Sequence, residues 1–276
     1  MVYGTGETAN GSFELLLDVY QPAGACTEPR PFVVGIHGGG FTGGSRSNEI
    51  WVGNMEAIAG RGFVGFSIDY RLVGDQPVPS NTYQPVVDDL MREADRLGLA
   101  AAQRDTLNAS VAAMEDTVTA LEWAVENAED RCLDPERFAL WGSSAGAITA
   151  LHVSHALDDY FIVRPEPLVV IDYWGRLFLE GQVGTHGPPM MIIHGTADQT
   201  VIYEESALLL AAEADAAFLP YAFYIIEGGP HGFGSVDPAR VQINGESPLE
   251  ITLDFIEDHL RDGSPNYETQ SIVPQG

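Results

Sequence analysis

Lysine is missing from this chain altogether. Its 13 basic side chains are all arginine and face 40 acidic ones, for a formal charge of −27 over 276 residues. A surface of that sign repels phosphodiester backbones and anionic lipid headgroups, which sets aside nucleic-acid binding and attachment to an acidic membrane. Cysteine is scarce. Cys26 and Cys132 belong to no Cys-x-x-Cys pair and no histidine-rich cluster, so a thiolate metal centre is not expected. Long apolar runs are also lacking, each being broken by Gly, Pro or charge before the roughly 18 residues that a membrane span needs. Met1–Asn10 has neither a basic start nor an apolar core, so no secretory signal is read there. The 45% hydrophobic content is that of an ordinary globular protein, and the length sits near the upper end of one core. We therefore expect a single domain over 1–262 and a polar, mobile C-terminal tail over 263–276.

What is present is alternation. Apolar runs bounded by Gly, Pro and Asn predict strands at Phe13–Tyr20, Phe32–His37, Phe63–Asp69, Arg137–Trp141, Leu168–Ile171, Met190–His194 and Tyr221–Ile226. Helical patterns lie between them at Glu49–Ala59, Val111–Glu126, Ala145–Leu157, Glu204–Ala217 and Pro248–Leu260. Strand followed by helix, repeated, implies an α/β fold: a mostly parallel sheet with helices on both faces and ligands at the carboxyl ends of the strands. Val73–Ser110 is longer than an ordinary connection and carries Pro77, Pro79 and Pro85 before a helical stretch. It reads either as a lid shaping a substrate pocket or as an elaboration remote from the chemistry.

The chemistry-bearing residues fall at strand ends. Gly142-Ser143-Ser144-Ala145-Gly146 follows the strand ending at Trp141 and opens a helix, the context in which Gly-x-Ser-x-Gly presents a nucleophile. Ser144 is central and Ser143 one residue off register. The alternative is a Gly-Ser loop that merely turns the chain. His37-Gly38-Gly39-Gly40 closes an earlier strand, and its bare amides are suited to holding an oxyanion; Gly39 and Gly40 join Ala145, the residue after the serine, as expected donors. Asp198 follows the strand ending at His194, and His231 lies on a Gly-rich loop after Tyr221–Ile226, so both reach the same edge as Ser144. Asp69 and Asp172 also follow or end strands and are rival acids. His152, His155 and His259 read as surface or packing residues, His37 and His194 as loop holders, and His186 as a residue bordering the pocket by position alone. Phe41, Ser143, Tyr173 and Trp174 are candidate substrate-binding residues; for the aromatics, core packing is the competing role.

Taken in order, HGGGF at His37–Phe41, DYRL at Asp69–Leu72, GSSAG at Gly142–Gly146, HGTADQ at His194–Gln199 and GGPHGF at Gly228–Phe233 resemble the α/β-hydrolase serine esterases. The likeness is strongest to the HGGG-type carboxylesterase and lipase group, related to hormone-sensitive lipase, and to feruloyl-esterase-like bacterial enzymes. It implies a sheet of about eight strands. It also implies a triad in the chain order Ser144, Asp198, His231, working through an acyl-enzyme with no metal and no organic cofactor. The ester would be a small molecule or a polymer: short-chain acyl, hydroxycinnamate or other aromatic esters, or polyesters. A serine peptidase of the same fold and a non-catalytic binding protein remain alternatives; the oligomeric state is left open. In the fold so implied, Cys26 and Cys132 precede neighbouring strands at one end. A Cys26–Cys132 disulfide is then expected, and with it an oxidising compartment, secreted or periplasmic.

So large a charge of one sign repels itself in the folded state, and salt screens that repulsion. The melting temperature should therefore rise between 0.05 M and 2 M NaCl, measured by circular dichroism; a flat or falling curve would show that self-repulsion is not a significant destabilising force.

Overall fold

The computed structural model describes residues 1–233 and 241–274. Its strands are β1 (Val2–Thr8), β2 (Gly11–Tyr20), β3 (Arg30–Ile36), β4 (Val64–Ile68), β5 (Leu133–Ser143), β6 (Val169–Tyr173), β7 (Met190–Gly195), β8 (Tyr221–Ile226) and β9 (Thr269–Ile272). They form one sheet in the order β1-β2-β4-β3-β5-β6-β7-β8-β9, in which the β1–β2 and β2–β4 pairings are antiparallel and the rest parallel. The helices are α1 (Glu49–Gly60), α2 (Gln84–Leu97), α3 (Ala101–Glu126), α4 (Ala128–Arg131), α5 (Ala145–Leu151), α6 (Ala207–Ala217) and α7 (Pro248–Leu260). No helix among the described residues is long and apolar enough to cross a membrane.

The central strands are apolar on both sides because helices cover both faces. In β5, Phe138 and Leu140 enter a core shared with α2, α3, α5 and α6, while Ala139 and Trp141 point the other way, into a core built with α1 and α7. Each fully buried Leu, Ile or Phe side chain contributes roughly 1.5–3 kcal/mol through removal from water. Helix starts are set by short polar side chains: Asn48 Oδ1 accepts from Ile50 N at 3.0 Å to open α1, and Ser247 Oγ accepts from Glu250 N at 3.2 Å to open α7.

Arg71, from the Asp-Tyr-Arg-Leu run, is buried and gathers three parts of the chain. Its guanidinium donates to Asp116 and Glu115 on α3, to the Glu7 carbonyl of β1 at 2.8 Å and to the Val78 carbonyl at 3.2 Å. The antiparallel flank of the sheet is thereby fastened to α3.

Three expectations change. The 73–110 segment is not one cover: α2 buries the stripe Val86, Leu90 and Ala94 at helical spacing, and residues from 101 onward already belong to α3, against which α2 packs. The predicted helix Ala145–Leu157 is α-helical to Leu151, widens to a π turn at His152–Ala156 and tightens to a 3₁₀ turn at Leu157–Tyr160. Within the supposed polar tail, Thr269–Ile272 forms β9 on the outer edge of β8, with Phe223 N donating to Glu268 O and Glu227 N to Ile272 O, both at 2.8 Å. Backbone groups make that pairing, so its mostly polar side chains gave no apolar pattern to read. Gln275 and Gly276 of that tail lie outside the described residues. β1 also escaped the reading; Tyr3 and Gly6 are its only buried positions.

Cys26 and Cys132 are disulfide-bonded, with Cα atoms 6.1 Å apart and a sequence separation of 106. Closing so long a loop restricts the unfolded chain and stabilises the fold by roughly 2–4 kcal/mol. Reduction, or Cys26→Ala, should lower the urea midpoint correspondingly, and thiol titration of denatured, unreduced protein should find none. Two titratable thiols, or an unchanged midpoint, would contradict this.

Candidate active site

Ser144 sits between β5 and α5 at φ 52°, ψ −119°, a backbone region that a non-glycine residue occupies only under constraint, at about 1–3 kcal/mol. The constraint is crowding. A Cβ on Gly146 would stand 2.0 Å from the Ile36 carbonyl oxygen of β3, and one on Gly142 would stand 2.2 Å from the Gly146 carbonyl oxygen. With both positions bare, the first turn of α5 presses against β3, and Ser144 N donates to Tyr173 O of β6 at 2.8 Å.

The serine hydroxyl lies 2.9 Å from His231 Nε2, and His231 Nδ1 lies 2.7 Å from Asp198 Oδ2. Asp198 is buried in the loop after β7, where Oδ1 accepts from Thr200 N at 2.8 Å and Val201 N at 2.9 Å. A carboxylate so held accepts from Nδ1–H, which leaves Nε2 to accept from the serine. Beneath it, burial lowers the pKa of His194 and keeps the ring neutral; its Nε2–H donates to Val201 O at 2.8 Å and braces the acid loop.

Across from this chain lies the loop after β3. Its floor is the His37 ring stacked on Tyr70 at 4.4 Å, with the Tyr70 hydroxyl donating to His37 O at 2.8 Å. Among the described residues no acceptor meets the amides of Gly39, Gly40 or Ala145. A cavity of about 610 Å³ opens beside them, walled by Gly38, Ser143, Tyr173, Trp174, Trp51 and Trp141. The Trp174 ring stands 6.2 Å from that of His231, so the cavity adjoins the serine–histidine pair.

Two family models match the chain. One, described as BD-FAE, covers residues 17–101, and the other, described as alpha/beta hydrolase fold, covers 108–172. Among solved structures, esterase 2 of Thermogutta terrifontis phosphorylated by paraoxon superposes with a TM-score of 0.68 at 22% identity, covering 94% of this chain and 92% of that one. The chain has the α/β-hydrolase fold. Curated relatives include esterase LipC of Mycobacterium tuberculosis, 21% identical over 82% of this chain and 58% of its own length, and carboxylesterase NlhH of the same species, 28% identical over 60% and 40%. Acetylcholinesterase of Gallus gallus is 35% identical over 48% of this chain and 14% of its own length. The matches thus span less than three fifths of these relatives' lengths.

Of the remaining expected residues, Ser143, Tyr173 and Trp174 line the cavity, and Phe41 does not. Phe41 turns the chain at φ 60° and packs its ring edge-on to Tyr70, 2% exposed, so its role is in the core. No residue of 73–110 lines this cavity, whereas Glu93, Arg96 and Leu97 of that segment line the groove beside α6. Trp51 and Trp141 were missed. Trp141 directly precedes the serine motif and was visible in the pattern; Trp51 comes from α1, and only the packing of α1 on β4 and β3 brings its ring against Trp141.

The rival acids are otherwise engaged. Asp69 accepts from Arg46 N at 2.7 Å and ion-pairs with its guanidinium. Asp172 is buried in β6, accepts from Gly175 N at 2.7 Å through Oδ1, and has no partner on Oδ2 among the described residues. His152 and His155 are buried rather than on the surface, and burial depresses both to about 4. His152 accepts from Phe178 N at 3.2 Å, and His259 bonds Phe255 O at 2.7 Å and Tyr267 Oη at 2.8 Å. His186 is exposed and lines neither this cavity nor the groove beside α6.

Burial pushes the Asp172 carboxyl up to about 7. Because that lies above the ordinary value near 3.9, the stability linked to Asp172 is full below about pH 4 and is lost as pH rises through 7. Asp172→Asn keeps the acceptor for Gly175 N and never ionises. It should match or exceed the parent in urea midpoint at pH 8, and its midpoint should fall less between pH 5 and 8. An Asn variant less stable at pH 8 with an unchanged pH slope would count against a costly buried charge.

Proposed function

We propose that the protein is a carboxylic ester hydrolase in which Ser144 is the nucleophile, His231 the general base and then acid, and Asp198 the group that orients and stabilises the imidazolium. The observation that carries this reading is the hydrogen-bond chain from Ser144 Oγ through both His231 nitrogens to Asp198, set beside amides without acceptors. Serine is a weak nucleophile until a base takes its proton, and the 2.9 Å contact with Nε2 is within reach for that transfer.

As Oγ bonds to the ester carbon, its proton moves to Nε2 and the carbonyl electrons move to oxygen. Gly39, Gly40 and Ala145 amides are the donors for that oxyanion; one such donor in a studied hydrolase contributes about 2.7–4 kcal/mol. Collapse of the tetrahedral adduct expels the alcohol, which leaves with the proton from Nε2. Water then repeats the sequence on the acyl-enzyme and releases the carboxylic acid. No metal or organic cofactor enters these steps.

Short-chain acyl and aromatic esters suit the cavity, whose walls Ser143, Tyr173, Trp174, Trp51 and Trp141 are uncharged. Relatives named esterase and carboxylesterase support the reaction class. The disulfide supports work in an oxidising compartment, outside the cell or in a periplasm.

Hydrolysis of p-nitrophenyl acetate and butyrate should be readily measured for the parent. Ser144→Ala should lower kcat roughly a million-fold, and Asp198→Asn roughly ten-thousand-fold. Activity surviving Ser144→Ala would remove the serine from the nucleophile's role.

A further inference from the structure

A second cavity, of about 600 Å³, shares no lining residue with the first and lies between the strip after β6, the C-terminal end of α2 and the N-terminal half of α6. Its distinctive feature is Arg176. The side chain is half-buried; among the described residues its one hydrogen bond is Nε to Leu177 O at 3.3 Å and no carboxylate lies within 4 Å of it. In a protein with three carboxylates per cation this is anomalous. The other described arginines ion-pair, except Arg30, which donates to the carbonyls of Pro22, Gly24 and Ala25, and Arg131, which lies over the Trp123 ring. Burial lowers the pKa of Arg176, and the field of Glu205 offsets that loss of hydration only in part.

The neighbouring charges narrow what would replace it. Glu93 is paired with Arg96 at 2.7 Å, and Glu213 accepts from Gly181 N at 2.7 Å and Val183 N at 3.2 Å. Glu205, whose field reaches Arg176, and Glu180 remain exposed at the rim. A dianion such as phosphate meets both rim charges at twice the cost of a monoanion. Phe178, Leu209 and Leu210 supply an apolar wall beside the guanidinium, which stands 5.9 Å from the Phe178 ring centroid. A guanidinium presents parallel N–H groups that fit a carboxylate bidentately.

We propose that this cavity is a binding site for a monoanionic organic carboxylate with a hydrocarbon body, its head on Arg176 and its tail along Phe178, Leu209 and Leu210.

Octanoate is the probe, titrated calorimetrically at low salt into the Ser144→Ala protein so that no ester chemistry intervenes. Two variants report on the site. Arg176→Gln removes the cation, and Leu209→Glu, at a position 43% exposed, places a carboxylate at the cavity wall while leaving the core intact. Expected are millimolar or tighter binding to the parent, at least tenfold weaker binding to both variants at unchanged melting temperature of Leu209→Glu, and weaker binding of octanol. Absence of binding to the folded parent, equal affinity in parent and variants, or octanol binding as well as octanoate would each overturn the proposal. Because the test uses neither the serine nor an ester, its outcome is independent of the reading of the active site.

Discussion

The first turn of α5 lies against the end of β3 with no side chain between them, because positions 142 and 146 carry none. Everything at the site depends on that approach. It forces Ser144 into its positive-φ conformation, lifts the hydroxyl out of the sheet toward His231, and sets the Ala145 amide beside the glycine loop that continues β3. The strain stays local because Ser144 N is anchored to β6 and the surrounding helix turn is buried.

Around this contact the supports form layers. His231 is held by Asp198, Asp198 by two backbone amides, and its loop by His194. The glycine loop rests on Tyr70, and the next residue along, Arg71, is the buried cation that fastens β1 to α3. One short run after β4 thus serves both the site and the flank of the sheet. Its two side chains do so by opposite means, an apolar ring with one hydroxyl contact and a saturated ion pair.

Much of this was legible in the sequence. Gly-x-Ser-x-Gly after an apolar strand, and an acid and a histidine each just past a later strand, specify positions at one edge of a parallel sheet, and the structure brings Ser144, Asp198 and His231 together there. What stayed hidden depends on packing or on backbone pairing. Phe41 stands next to the glycine loop in sequence, yet a single turn at positive φ sends its ring into the core. Trp51, a helix residue remote in sequence from the serine, reaches the cavity only because α1 packs on β4 and β3 and sets its ring against Trp141. β9 has little apolar character and exists through its hydrogen bonds to β8. The 73–110 stretch was recognisable as unusual, but whether it covers the site is a question of direction that composition does not answer.

The disulfide joins the approaches to β3 and β5 at the ends opposite the site. Those are the two strands whose other ends carry the glycine loop and the serine turn. The crosslink therefore braces the pair like a hinge pin behind a clasp: it keeps the two strands in register while leaving the loops at the working end free to adjust. Redox conditions would then govern how long the molecule lasts rather than how the working end is arranged, separating durability from site geometry in one small α/β fold.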